Sequence, residues 1–314
     1  IAFANSFLYL IETASNYRKL YTKTKDRNFF INAWKFYTSA FYQIRPLVAQ
    51  LNSLEIGDSS PYLSNFSLET SKIPVPGTYS VTQEKSIYIS SFDHNVKIMD
   101  SKQRPRCLVM LGDDGLRYTF LLKAHEDTRL DERVMQLFSF INSCLMDKKK
   151  EPDMPDKWRN SLAITTYKVS PLTPEVGLIG FVKNCETIAN VVFRYRKKVG
   201  VSDRIEYETV LKRCPKYAEL PMGQERVSLF KEGMRSFDGD DLKKELFTNA
   251  FDSRDWLNRR MMYSASLAMT SMAGYVLGLG DRHLSNIMIN KRTAKLVHID
   301  FGDSFEVAQH RSTF

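Results

Sequence analysis

The fold of this chain is decided by two short stretches, Gly280-Asp281-Arg282-His283-Leu284-Ser285-Asn286 and His298-Ile299-Asp300-Phe301-Gly302. Asp281 precedes Asn286 by five positions, and the apolar residues between the two stretches predict a hairpin. The hairpin would return Asp300 beside Asn286, so that two hard oxygen ligands could reach one Mg²⁺ ion. A carboxylate at an attacking hydroxyl, together with metal ligands for phosphates, is what phosphoryl transfer requires.

Each part of this pattern is a weak signal by itself. An Asp-Phe-Gly triplet arises by chance, and an Asp near an Asn usually marks a turn. The protein-kinase template, however, places its catalytic Asp five residues before a metal-binding Asn and takes a second metal ligand from Asp-Phe-Gly. A structural turn does not explain this spacing with apolar strands between the parts, so the pattern predicts a phosphoryl-transfer site.

The residue order around the first carboxylate points to a family. Most protein kinases carry His-Arg-Asp, whereas this chain carries Asp281-Arg282-His283 with His-Ile-Asp-Phe-Gly downstream. In this order the chain resembles kinases related to phosphatidylinositol 3-kinase. Further stretches resemble TOR kinases in particular: 75–79, 101–106, 131–138 and 298–306. The resemblance implies a serine/threonine protein kinase of growth and nutrient signalling that uses ATP with Mg²⁺ or Mn²⁺.

The resemblance also implies catalytic roles. Asp281 would act as the base or orient the attacking hydroxyl, and His283 would stabilise developing charge. Asn286 and Asp300 would hold the metal ion.

On the phosphate side, the strand that ends at Lys123 resembles the one that carries the phosphate-binding lysine of the family. Glu126 or Asp131, at the start of the next predicted helix, would be its ion-pair partner. Ser101 stands in the segment that the family uses over the phosphates, where it offers a hydroxyl and a backbone donor instead of a glycine nest. A lone lysine on a strand edge would otherwise be interpreted as a solvated charge.

The nucleotide pocket is implied in the same way. Tyr167 would lie deep in it, the hinge Gly180-Phe181-Val182 would run against adenine, and Met288 and Ile299 would form its floor. From composition alone these are equally plausible core residues. The chain departs from TOR kinases at Phe181, where they carry tryptophan, and near the chemistry at Ala124 and Leu284, which replace a glycine and a proline.

The first 50 residues predict two helices, which resemble the end of the FRB bundle that binds rapamycin with its immunophilin. Trp34 and Phe41 would preserve the floor of the drug cleft. Ile31 stands where the family has a small hydroxyl residue, and Thr38 stands where an aromatic contact with the drug is expected. Lys35 replaces an acidic residue at the rim of the cleft. These differences predict a weak rapamycin response.

Residues 212–255, called the insertion below, resemble the TOR segment that docks a WD-repeat propeller subunit. The insertion is polar overall and has six apolar positions that need a cover: Leu220, Val227, Phe230, Leu242, Leu246 and Phe247. The alternative interpretation is a helical hairpin that packs on itself. Scaffold subunits of TOR complexes and protein substrates are the other partners that the resemblance implies.

The predicted fold class is α+β, a bilobal kinase of the PI3K-related type with a β-rich N-lobe and a mainly helical C-lobe. Strands are expected at 87–89, 96–98, 108–111, 118–122, 163–169 and 177–182, and helices at 131–145 and 260–278. The predicted domains are a partial FRB-like bundle (1–50), a connector (51–78), the N-lobe and hinge (79–182) and an incomplete C-lobe (183–314).

Composition excludes some function classes. The net charge is +9, yet the basic residues are dispersed and come without zinc-ligand spacing or an RNA-binding signature, so no nucleic-acid partner is predicted. The four cysteines form no CxxC pair and predict reduced thiols in an intracellular protein. No apolar run reaches the ~20 residues of a membrane span. We therefore expect a cytoplasmic protein that is recruited to endomembranes only indirectly.

Two rival functions remain at this point. A lipid kinase of the same superfamily would carry a basic cluster after Asp-Phe-Gly, and 304–314 holds only His310 and Arg311. A catalytically dead scaffold would have no need to keep Lys123, Asp281 and both metal-binding residues.

Overall fold

A computed structural model describes residues 2–69, 71–79, 86–101, 103–147, 153–235 and 237–305. The chain forms two compact units. The first comprises Ile1–Ile73 and Tyr88–Arg117, and the second comprises Pro74–Ile87 and Tyr118–Phe314. The mixture of helices and antiparallel sheets confirms the predicted α+β class. The predicted boundaries at 50, 78 and 182 stay predictions.

The first unit begins with two long helices, α1 (Ala2–Thr24) and α2 (Arg27–Gln50), which pack against each other. Tyr17 stacks on Phe29 and Phe36, with ring centroids 6.3 and 5.8 Å apart. Asp26 accepts a hydrogen bond from the Asn28 amide at 2.9 Å and so caps the second helix.

The rest of the first unit is a small antiparallel sheet. Its elements are β1 (Ser53–Glu55), α3 (Ile56–Ser59), α4 (Pro61–Ser64), β2 (Ile89–Phe92), β3 (Asn95–Ile98) and β4 (Arg106–Gly112). Strand β1 pairs with β3, β3 with β4, and β4 with β2. The segment predicted as a plain connector thus supplies a strand and two short helices.

The second unit contains the remaining strands β5 (Arg117–Ala124), β6 (Val169–Thr173), β7 (Val176–Gly180), β8 (Cys185–Thr187), β9 (Ile287–Asn290) and β10 (Leu296–His298). Strand β7 lies between β5 and β6, and β9 lies between β8 and β10. The predicted hairpin of β9 and β10 is confirmed, with Ile289 opposite Leu296.

The helices of the second unit are α5 (Arg129–Met146), α6 (Asp156–Leu162), α7 (Ile188–Val199), α8 (Ile205–Arg213), α9 (Gln224–Arg235), α10 (Asp241–Thr248) and α11 (Ser253–Leu277), with one 3₁₀ turn at Tyr217–Glu219. Among the described residues, no helix combines the length and apolar character needed to cross a membrane. A core packs α5 against the apolar residues around Phe301 and Val297.

One strand prediction is wrong. Residues 163–168 are irregular, and strand structure begins only at Val169. The Asn142 side chain accepts from the Ile164 amide and donates to the Ile164 carbonyl, both at 2.8 Å. Because a side chain satisfies both backbone groups, this apolar segment needs no strand neighbour there.

Candidate active site

The loop between α11 and β9 presents Asp281 in an unusual backbone conformation. Helix α11 ends at Leu277 and is followed by the cap residue Gly278, whose φ of 61° lies in the left-handed region. Asp281 itself has a φ of 56°, which residues with a Cβ rarely adopt. Asn286 is buried, and its amide nitrogen donates to the backbone oxygen and to Oδ2 of Asp281, at 3.0 and 3.1 Å. With that nitrogen engaged, the side-chain oxygen Oδ1 of Asn286 is the atom suited to a metal ion.

His283 lies on the exposed side of the same loop. Its Nδ1 accepts a hydrogen bond from the Ser285 amide at 3.2 Å. Its Nε2 lies 3.9 Å from Asp281 Oδ2. An Nδ1 that accepts leaves the ring proton of a neutral imidazole on Nε2, so the N–H is on the side of the Asp281 carboxylate.

The turn after β10 carries Asp300, also in a left-handed conformation with a φ of 62°. The Ile299 amide donates to the Asn286 carbonyl at 3.1 Å, which brings this turn beside the Asp281 loop. Phe301 is fully buried and meets Phe138 of α5 edge-on, with centroids 5.8 Å apart. The Asp300 side chain remains 43% exposed. A buried neighbour therefore anchors a carboxylate that solvent and ligands can reach.

Lys123 reaches this turn from β5. Its Nζ lies 3.3 Å from both carboxylate oxygens of Glu126 and 4.0 Å from Oδ1 of Asp300. Glu126 is therefore the ion-pair partner of Lys123, and not Asp131, which was the other candidate. Asp131 instead accepts a hydrogen bond from the Phe301 amide at 3.4 Å.

Asp131 is an almost completely buried carboxyl in the first turn of α5. Burial raises its pKa from 3.8 to about 6; Lys123 opposes the shift, while the charges of Asp300 and Glu126 add to it. Its Oδ2 has no hydrogen-bond partner among the described residues. A carboxyl whose pKa is shifted by burial and by neighbouring charges is a candidate functional group.

A tight contact sets α5 against this strand pair. Gly177 of β7 lies opposite Lys123 in the sheet. A Cβ at Gly177 would lie 2.0 Å from Oγ1 of the fully buried Thr128, directly before α5. The absence of a side chain at position 177 thus lets the helix that carries Asp131 approach the strand that carries Lys123.

The predicted nucleotide-pocket residues gather around one apolar core. Tyr167 is part of that core, and Val182, Met288 and Ile299 pack against it. Burial raises the pKa of Tyr167 well above its usual value, and the charges of Asp131 and Asp300 act in the same direction. Their shared location agrees with a pocket wall and equally with a plain core, so the pocket assignment stays a prediction.

The predicted hinge lies at the end of β7, and Ser101, predicted to lie over the phosphates, belongs to the first unit. The Gly180 amide donates to the Lys168 carbonyl at 2.7 Å, and Phe181, 38% exposed, continues past the end of β7. Ser101 belongs to the first unit, where its hydroxyl accepts from the Arg104 amide at 3.2 Å. Its role over the phosphates stays a prediction.

The donor set fits a hard divalent cation. Asp300 offers a carboxylate and Asn286 an amide oxygen, and Mg²⁺ is commonly bound through one or two such ligands together with substrate phosphates. Within the described ranges, no group of three or more His, Cys, Asp or Glu residues could hold a metal ion. Asn286 and Asp300 would leave the other coordination positions of a bound Mg²⁺ ion to water and to nucleotide phosphates.

Two residues of the site were missed at the level of sequence. The sequence predicts no role for Arg282, yet its side chain donates a hydrogen bond to the carbonyl of Ile299 and so connects the two turns. His298 of β10 is buried, and burial lowers its pKa from 6.5 to about 4, with Arg282 acting in the same direction. No spacing rule predicts either environment, because both depend on the pairing of the two turns.

The insertion is joined to α7 by ion pairs whose carboxylates are buried. Arg196 Nε lies 2.9 Å from Asp241 Oδ2, and Arg194 Nη2 lies 2.9 Å from Glu245 Oε1. Of the six apolar positions, Leu242 and Leu246 pack on the core beside α7. Leu220 is partly buried, whereas the remaining three are exposed: Val227, Phe230 and Phe247.

Comparison with known proteins gives consistent similarities. Residues 117–314 match the family model described as phosphatidylinositol 3- and 4-kinase. The chain is 44% identical over 282 residues to "Serine/threonine-protein kinase mTor" of Drosophila melanogaster, covering 90% of this chain and 11% of that protein. It is 38% identical over 314 residues to "Serine/threonine-protein kinase TOR2" of Saccharomyces cerevisiae, covering 100% of this chain and 12% of that protein.

A solved structure described as "FAT and kinase domain of CtTel1" has the same fold, with a TM-score of 0.66 and 26% identity over 82% of this chain and 18% of that one. The chain thus spans about a tenth of the length of the TOR proteins that it resembles.

Proposed function

The chain belongs to the phosphatidylinositol 3- and 4-kinase family, and from this we propose that it is the catalytic segment of a TOR-type serine/threonine protein kinase. The γ-phosphate of ATP would pass to a protein hydroxyl. One observation carries the proposal: Asp281, Asn286, Asp300 and Lys123 converge on the two paired turns. The names of the similar TOR proteins support protein as the acceptor rather than lipid.

The residues would divide the chemistry as follows. Asp281 would take or orient the proton of the attacking hydroxyl, and the Nε2 proton of His283 would stabilise charge that develops beside it. Lys123, held by Glu126, would contact the phosphates. Asn286 and Asp300 would hold Mg²⁺ or Mn²⁺.

Bound metal would neutralise charge on the transferred phosphoryl group. The hinge at Phe181 and the core residues Tyr167, Met288 and Ile299 would form the surroundings of the adenine.

The test is a pair of substitutions in the complete protein. Asp281→Asn should leave ATP affinity nearly intact and lower turnover by about a thousandfold or more, because it removes an interaction made mainly in the transition state. Asp300→Ala should in addition weaken magnesium-dependent nucleotide binding. Near-normal turnover of Asp281→Asn would show that the catalytic carboxylate is assigned wrongly. Transfer to phosphoinositide but not to protein would favour the lipid-kinase alternative.

The proposed partner of the insertion is a WD-repeat propeller. The exposed Val227, Phe230 and Phe247 support this, because exposed apolar groups that cluster on one segment mark interaction sites. Deletion of 212–255 should abolish co-purification of the propeller, and its retention would contradict the proposal. The wider assembly would contain the scaffold subunits of a TOR complex, in the cytoplasm or recruited to endomembranes through partners.

A second proposed ligand is rapamycin with its immunophilin, bound weakly on α2. Trp34 and Phe41 are 65% and 57% exposed, which supports an apolar floor. Ile31 is also exposed and would intrude on the cleft, at a typical overpacking cost of ~1–3 kcal/mol. At the upper end this lowers affinity by about a hundredfold. Nanomolar binding of the drug–immunophilin complex to the complete protein would refute the proposal.

A further inference from the structure

Arg282 joins the two turns of the candidate active site through the backbone. Its Nε donates to the Gly280 carbonyl at 2.6 Å and its Nη1 to the Ile299 carbonyl at 2.9 Å, while Nη2 donates to the Asp300 carbonyl. The guanidinium carbon lies 5.2 Å from the centre of the Phe301 ring. One planar side chain therefore contacts the backbone on both sides of the gap between the loops.

Two residues at these contacts have left-handed backbones. Asp281 and Asp300 have φ values of 56° and 62°, a region that costs a residue with a Cβ free energy, although Asp adopts it more readily than most. The carbonyls of Ile299 and Asp300 are the two that flank the Asp300 Cα, and Arg282 binds both.

Backbone bonds also join the two segments. One of them, from the Ile299 amide to the Asn286 carbonyl at 3.1 Å, lies next to Asp300, but it uses an amide and leaves the carbonyls that flank the Asp300 Cα to Arg282. Two others lie further from Asp300. The Gly280 amide donates to the Asp303 carbonyl at 2.7 Å, and the Phe305 amide donates to the Gly278 carbonyl at 3.1 Å. These bonds join the outer ends of the two segments. Neither engages a carbonyl that flanks Asp300, so they do not replace the contacts of Arg282.

We propose that Arg282 is a positioning residue, which holds Asp300 in its left-handed conformation and at a fixed distance from the Asp281 loop. The inference rests on the proposed kinase function, because it concerns where the metal-binding carboxylate lies relative to the catalytic one. A misplacement of about 1 Å at such a site can cost about a hundredfold in rate. The planar fork matters as much as the charge, since a lysine ammonium cannot direct donors to three carbonyls in one plane.

The experiment compares Arg282→Lys and Arg282→Met with matched changes at Arg292, an exposed arginine in the turn between β9 and β10. In the complete protein, kcat and KM for ATP are measured together with calorimetric binding of a non-hydrolysable ATP analogue across a Mg²⁺ titration. Both Arg282 variants should lose about a hundredfold in kcat. Both should also need about tenfold more Mg²⁺ for half-maximal nucleotide binding. The Arg292 variants should match the wild type.

Several results would overturn the proposal. Wild-type kcat in Arg282→Lys would mean that charge suffices and that the fork has no positioning role. A fall in kcat with unchanged Mg²⁺ dependence would mean that Arg282 does not act through Asp300. If Arg282→Met fails to fold, Arg282→Lys decides the question. If the wild type proves inactive as a kinase, the proposed function fails, while the Mg²⁺ titration still tests whether Arg282 positions Asp300.

Discussion

The insertion and the two catalytic turns use charged residues in opposite ways. Where the insertion meets α7, Glu245 is almost fully buried and lies within hydrogen-bond distance of Arg194 and Lys198. At the catalytic turns, Lys123 approaches Asp300 only to 4.0 Å, and the Asp300 side chain stays 43% exposed. Paired charges hold a segment in place, whereas incompletely paired charges leave interactions for a ligand to complete.

The largest effect that tests this comparison is expected at Arg196. Its side chain is 7% exposed and that of Asp241 is 6% exposed. Arg196→Met would leave Asp241 as a buried charge without its partner, which typically costs about 3–5 kcal/mol. Amide hydrogen exchange in the complete protein should show α10 opening correspondingly more often, because local stability governs exchange.

The matched control for Arg196 is Arg213→Met. Arg213 pairs with Glu232, and their side chains are 66% and 44% exposed. Exposed pairs contribute about 0–1 kcal/mol, so exchange in α8 and α9 should hardly change. Equal protection of α10 in both variants would show that the Arg196 pair does not hold the insertion.

The next effect concerns pH and the opposite behaviour of two buried groups. The pKa of Asp131 is raised from 3.8 to about 6, so its contribution to stability is complete below pH 3.8 and is lost as the pH rises through 6. The pKa of His298 is lowered from 6.5 to about 4, so its contribution is complete above pH 6.5 and is lost as the pH falls through 4. Between about pH 4 and pH 6, the two groups change the free energy of unfolding with pH in opposite directions.

Asp131→Asn removes the pH dependence of stability that comes from Asp131 and should leave that of His298. The free energy of unfolding of the variant should fall, relative to wild type, by about 1.4 kcal/mol per pH unit between pH 6 and pH 4. Denaturant titrations of both proteins at intervals of half a pH unit measure this difference. Asp127→Asn is the control, because its pKa is lowered to about 2 and its effect lies below this window. Parallel profiles for wild type and Asp131→Asn would contradict the assignment.

Sequence reasoning reached the parts of the site that depend on spacing. Asp281, Asn286 and Asp300 lie where the predicted hairpin brings them, because a two-stranded return has few geometries. It could not choose between Glu126 and Asp131 as the partner of Lys123, since both follow the strand within eight residues. It also missed Arg282 and predicted a strand at 163–169, because a side chain that bonds to a distant backbone leaves no local pattern.

A smaller effect is expected on the exposed face of the insertion. Phe230 is 55% exposed on α9. If a propeller docks there, Phe230→Ala should weaken the complex by about 1–2 kcal/mol, as truncation of a central aromatic contact does. Phe140, 66% exposed on α5, provides the matched control, and Phe140→Ala should leave the affinity unchanged. Equal affinities for both variants would move the docking surface away from α9.

The smallest effect is expected where α9 of the insertion packs against α8. Gly233 of α9 is buried against α8, and an added Cβ would lie 2.5 Å from Val210 Cγ2 and 2.9 Å from the Glu206 carbonyl oxygen. The backbone oxygen cannot rotate away, so Gly233→Ala should push the two helices apart at an overpacking cost of about 1–3 kcal/mol. The better helix propensity of alanine returns about 1 kcal/mol, which leaves a net loss of about 1 kcal/mol.

Gly223 has open space around its Cα, so Gly223→Ala is the control and should be neutral. Hydrogen exchange of α8 and α9 in the complete protein measures the effect, while kcat should stay within about twofold because the added Cβ of Gly233→Ala would meet α8 and not the catalytic turns. Unchanged exchange in Gly233→Ala would mean that the hairpin adapts freely. The position of the insertion would then depend on its contacts with α7, which are the arginine pairs and the packing of Leu242 and Leu246.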